Sequence, residues 1–159
     1  MKKITLHSEL IYILATLILS FSSAMQTAAN LGISMIIAPA YIVIQKLTFL
    51  TFGQSEYLVQ GLVFIAFCVL MKGFKPVYLA SFGTALFYGA ALDMWRTVIP
   101  AFNQSVTVPG SMPMPARIAM LGSGMIITAT AVALFFHTYL YPQVYDFFVR
   151  EVSKRYKKD

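Results

Sequence analysis

The sequence predicts an all-α fold: a multi-pass transmembrane bundle of about four spanning helices, a short broken helix and a C-terminal interfacial amphipathic helix. Three observations predict it. Long apolar runs cover 10–25, 57–71, 77–92 and 118–141. Nearly all the charge stands at the ends of those runs. The composition is extreme, with 58% hydrophobic residues, only 11% charged residues and a mean hydropathy of +0.73. A soluble domain carries about 25% charged residues, so this chain lacks the charge to keep a water-facing surface solvated. A spanning helix needs about 20 mostly apolar residues, because each rises about 1.5 Å through a hydrocarbon core about 30 Å thick. Flanking small and aromatic residues extend the runs to expected spans of 9–28, 56–71, 76–93 and 117–141, within a transmembrane domain of 1–141.

The net charge of +6 is distributed as a topology signal. Lys2, Lys3, Lys72, Lys75, Arg150, Lys154, Arg155, Lys157 and Lys158 fall on one side of a four-crossing chain; Lys46, Arg96 and Arg117 fall on the other. The positive-inside rule then places both termini in the cytoplasm. The basic balance implies anionic inner-leaflet lipid as partner, not nucleic acid.

The first helix is expected from Glu9 to about Thr27, ending in a small, polar stretch. A cleaved signal peptide competes for this segment, since a basic start precedes it and Ser22-Ser23-Ala24 offers a small-residue site. His7 and Glu9 interrupt that pattern, and the apolar run reaches back to Ile4. Only a retained helix puts both basic ends on one side. Segment 31–46 is apolar but too short to cross, and Gly32 and Pro39 break it. Two readings fit: a re-entrant helix inside the bundle, which irregular backbone at membrane depth requires, or a short helix on the outer surface.

Thr51 to Ser55 reads as a turn, with Ser55 the expected N-cap of the second span. Lys72-Gly73-Phe74-Lys75-Pro76 reads as a tight turn, glycine stopping one helix and proline starting the next. Ser81, Gly83, Ala85, Gly89 and Ala90 give the third span small residues at four-residue spacing, which lets helices approach closely in lipid. Residues 97–116 form the expected outside loop, rich in proline. Gly122, Gly124, Ala129 and Ala133 are the small contact positions expected on the fourth span. Residues 142–159 read as a basic amphipathic helix at the cytoplasmic interface, with Tyr145, Phe148, Val149, Val152 and Tyr156 on one face. A partner-binding helix competes with that reading. The stretch around Pro142 also echoes the stretch around Pro39: each follows a span and opens a short apolar-faced helix.

Chemistry is sparse. The chain carries no paired-carboxylate motif, HExxH, GxSxG or Walker loop, so no enzyme activity and no cofactor are expected. Cys68 has no partner for a disulfide and no cluster for a metal. The candidate substrate-binding residues are Asn30 and Ser34 beside the broken segment, Gln60 within the second span and Asp93 at the end of the third. Intramembrane ionisable groups are functional candidates by default. The structural alternatives are an interfacial Asp93–Arg96 pair anchored by Trp95, interhelical hydrogen bonds for the others, and an interfacial setting for His137.

Several of these landmarks occur together. Leu31-Gly32-Ile33-Ser34, Phe52-Gly53-Gln54, Gly61, Lys72-Gly73-Phe74-Lys75-Pro76 and Gly83-Thr84 through Gly89 to Asp93 follow one another in order. Over residues 10–159 the chain resembles the YczE/YyaS/YitT-type bacterial integral membrane proteins. It departs from them at Met35-Ile36-Ile37, where many relatives carry Pro-Trp-Asp. The resemblance implies a bacterial multi-pass inner-membrane protein. Two functions remain in view: a small permease or transport subunit, completed by a second copy or a partner membrane subunit, and an accessory protein that docks a partner through helix faces and the basic tail.

Overall fold

The computed structural model describes residues 8–71, 77–103, 112–138, 144–145 and 153. Every regular element among them is helical: α1 (Ser8–Ala29), α2 (Ala38–Lys46), α3 (Phe52–Met71), α4 (Val77–Val98), a single 3-10 turn (Pro100–Phe102) and α5 (Met114–Phe136). Nearly all of the expected amphipathic helix over 142–159, the turn at 72–76 and residues 104–111 of the expected 97–116 loop lie outside the described residues; the rest of that loop is shortened by α4 running to Val98 and α5 starting at Met114.

Three helices are long and apolar enough to cross a membrane: Ser8–Ala29, Phe52–Leu70 and Met114–Phe136. α4 matches α1 in length at 22 residues. Asp93 and Arg96, with several hydroxyl and glycine positions, dilute its apolar character. α2 has 9 residues and Pro39 in its first turn. At about 1.5 Å per residue it spans less than half of a bilayer core.

The chain divides into two compact units, and α4 contributes to both. In the first, α1 packs against α5 and the 3-10 turn, joined by the end of α4 from Ala91. Tyr12 meets Phe135 edge to face, Ser22 meets Thr128, and Ala29 meets Arg117, so the two helices run antiparallel. Their closest approach is at Gly124. A Cβ there would stand 2.7 Å from Gln26 Cγ and 3.5 Å from the Ser22 carbonyl oxygen. Of the four small positions expected on this helix, only Gly124 is buried at the contact; Gly122, Ala129 and Ala133 are exposed, and Ala131 is buried instead. The reason is phase: Gly124 and Ala131 are seven apart, two helical turns, on the stripe that also carries Thr128.

α1 buries hydroxyls where a soluble helix buries hydrocarbon. Thr16, Ser20, Ser22, Ser23 and Thr27 are all buried. Each donates to a carbonyl three or four residues back in its own helix, at 2.7–2.9 Å. This satisfies the hydroxyl without a partner helix and keeps the side chain small. α1 ends where Asn30 takes a left-handed φ of 49° and Gly32 follows at 133°. Arg117 then closes the end, its Nε donating to the Ala29 carbonyl at 2.8 Å and its Nη2 to the Asn30 carbonyl. A cation at the carbonyl end of a helix also opposes the dipole.

In the second unit, Ser34–Ala90 pack with residues from 141 onward. Tyr41 of α2 meets Phe52 of α3 edge to face. α3 and α4 run antiparallel, since Gly53 and Tyr57 face Gly89 while Gly61 and Phe64 face Phe82. At Gly89 the helices nearly touch: a Cβ would collide with the Tyr57 ring and stand 2.9 Å from the Gly53 carbonyl oxygen. The expected small-residue stripe is therefore real at Ser81, Ala85 and Gly89, all buried, whereas Gly83 and Ala90 are exposed. The N-cap of α3 is Thr51, not Ser55. Gln54 N donates to Thr51 Oγ1 at 3.1 Å, and Thr51 N donates to Gln54 Oε1 at 3.0 Å. This reciprocal pair is a capping box. Ser55 lies a turn further in, buried, its hydroxyl donating to the Thr51 carbonyl.

Candidate functional site

Each sequence-predicted residue has a definite place. Asn30 is exposed at the end of α1, and its carbonyl accepts from Arg117. Ser34 is exposed and opens the turn into α2; its carbonyl accepts from Ile37 N and Ala38 N, and its hydroxyl accepts from Ile36 N at 3.4 Å. Asp93 is half-buried on α4, with its carbonyl accepting from the Thr97 hydroxyl at 2.8 Å. Asn30 and Asp93 belong to the first unit, Ser34 and Gln60 to the second. His137 caps the C-terminus of α5 and is exposed.

The residues next to Asp93 on α4 pack within the first unit. Trp95 donates its indole N–H to the Leu17 carbonyl, midway along α1, at 3.2 Å. Its ring meets Phe21, which also meets Phe102. Arg96 Nε donates to the Phe102 carbonyl at 3.3 Å. Leu14, Leu17, Ile18, Phe21, Trp95 and Ile127 line a groove of about 420 Å³. Hydrocarbon and rings make up that lining, so it offers a ligand little polar purchase.

Gln60 is different. It has no exposed surface, and neither does Glu56, one turn earlier on the same helix. Gln60 Nε2 donates to Glu56 Oε1 at 2.9 Å. The second carboxylate oxygen of Glu56 and the amide oxygen of Gln60 are buried without a hydrogen-bond partner. So are Ser81 Oγ on α4 and the Tyr145 hydroxyl. Burial, and then the charge of Glu56, hold the Tyr145 phenol above the usual tyrosine range. Val144 beside it is buried as well. Register places Ser81 near the level of Phe64, about one helical turn from Gln60.

Glu56, Gln60, Ser81 and Tyr145 all lie in the second unit. Together they offer oxygen atoms only, one of them from a carboxylate. Unpartnered buried polar atoms cost about 1–3 kcal/mol each, and native folds keep few of them without a reason. Sequence reasoning does not single out Glu56. The signal is present all the same: Glu56 is the sole charge in α3 and stands four residues before Gln60.

The chain belongs to a family of unknown function, DUF6198, whose model matches residues 6–159. No curated protein and no solved structure matches it.

Proposed function

We propose that this family member is a small permease or transport subunit of the bacterial inner membrane, acting on a small solute or ion. The buried Glu56–Gln60 pair inside a membrane-capable helix carries the reading. A carboxylate in an apolar span is costly to keep, and such groups mark substrate and ion pathways. Asn30, Ser34 and Asp93 remain candidate substrate contacts. The kinship with YczE/YyaS/YitT-type proteins belongs to the same proposal.

The topology we propose has four crossings, α1, α3, α4 and α5, with both termini cytoplasmic. Glu56 then starts its span near the outer face.

Reconstituted proteoliposomes test the function. Under gradients of salts and small neutral solutes, flux is expected above that of empty vesicles and is expected to fall in Glu56→Gln. Flux equal to empty vesicles for every solute sinks the transport reading. The accessory reading then leads, and α5 favours it: its most apolar window is only 11% buried, leaving a broad face for a partner helix or lipid.

A further inference from the structure

We infer that Glu56, Gln60, Ser81 and Tyr145 form a binding site for a monovalent alkali cation. The inference rests on the transport reading only in treating the site as functional. The four buried oxygens without a hydrogen-bond partner are observed whatever the protein transports.

The argument is one of unmet valence. Glu56 and Gln60 satisfy one another through a single bond, from Gln60 Nε2 to Glu56 Oε1. That bond uses one of the amide's two N–H donors and leaves two acceptor oxygens, Glu56 Oε2 and Gln60 Oε1, on one fully buried helix face. Acceptors call for a proton donor or a cation. The two remaining orphans, Ser81 Oγ and the Tyr145 hydroxyl, are themselves able to accept. A serine on a helix ordinarily donates back to its own backbone, as five hydroxyls of α1 do. Ser81 does not, and its lone pairs stay available.

The donor set selects the ion class. Hard oxygen ligands suit alkali and alkaline-earth ions and exclude soft metals. One carboxylate balances one positive charge. Among the described residues no group of three or more His, Cys, Asp or Glu comes together, so the further carboxylates that divalent sites use are lacking. Neutral amide and hydroxyl oxygens complete the shell without adding charge, as an apolar span requires.

Cation binding is read on the purified full chain as thermal stability, in lithium, sodium, potassium or choline chloride at fixed ionic strength and pH. A ligand that binds only the folded state raises Tm in a saturable way. A saturable rise with one or more alkali ions and none with choline is expected, and the three ions separate sodium from potassium selectivity. Glu56→Gln is expected to abolish the response and Ser81→Ala to weaken it. Gln60→Glu, which adds a second carboxylate, is expected to move the response to calcium or magnesium. If Glu56→Gln fails to fold, the Ser81→Ala and Gln60→Glu outcomes decide. A stability that follows pH and no alkali ion overturns the inference, because Glu56 is then simply protonated. A response that survives all three substitutions overturns it too. Binding without flux in proteoliposomes keeps this inference and removes the transport reading; flux without binding does the reverse.

Discussion

Gln60 donates to Glu56 across 2.9 Å, one turn apart, on the buried face of a helix that carries no other charge. The relationship makes the two side chains interdependent. Gln60→Leu leaves the carboxylate with no partner and is expected to cost about 1.5–3 kcal/mol, the range for hydrogen bonds to charged groups. Replacing both by leucine removes the demand along with the donor, and is expected to recover most of that loss. Unfolding of the two variants in detergent decides the point. A double variant no more stable than Gln60→Leu ends the idea that the pair acts as a unit.

Tyr145 titrates late because burial and then the Glu56 charge disfavour its phenolate. The sign follows directly. Its folded-state pKa is raised, so this contribution to stability is full below the ordinary tyrosine value of about 10 and is lost as pH climbs beyond it. An ultraviolet titration of the folded chain is expected to lose its last phenolate step in Tyr145→Phe. Glu56→Gln is expected to bring that step to lower pH. A step that ignores Glu56 means the two side chains do not share a site.

Gly124 and Gly122 are two residues apart and have opposite surroundings. Gly124→Leu is expected to wedge α1 from α5 and cost about 1–3 kcal/mol. A Cβ on Gly122 would meet nothing within 4 Å, so Gly122→Leu is expected to change stability by about 0.5 kcal/mol or less. Thermal unfolding of the two variants in the same detergent compares them. Equal costs contradict the observed phase of α5.

Thr51 and Gln54 cap α3 reciprocally. Thr51→Ala is expected to cost about 1 kcal/mol and to speed amide exchange in the first turn of α3. Ser55→Ala leaves both capping bonds in place and is expected to spare that turn. Faster exchange in the Ser55 variant alone would return the cap to Ser55.

The membrane character of this chain was legible in the sequence, and so was the small-residue spacing of α4. Both are properties of one-dimensional order: apolar run length sets whether a helix can span, and a four-residue repeat sets which residues share a face. The brevity of α2 was legible for the same reason, since Pro39 and the apolar run together bound it. The cap of α3 was half legible. Thr51 and Ser55 are both good caps by type, and only the Gln54 side chain reaching back to Thr51 decides between them.

What the tertiary structure decided is burial and partnership. Gln60 stood out in the sequence as a polar residue in an apolar run, but Glu56 did not stand out. It is the packing around α3, with Tyr145 brought close from the far end of the chain, that shields Glu56 from water. Likewise Arg117 read as a topology charge, and folding turned it into the clasp on the end of α1. Periodicity tells which residues lie on one face of a helix. The cost of a buried charge, and what must balance it, depends on what packs against that face, and no single segment encodes that.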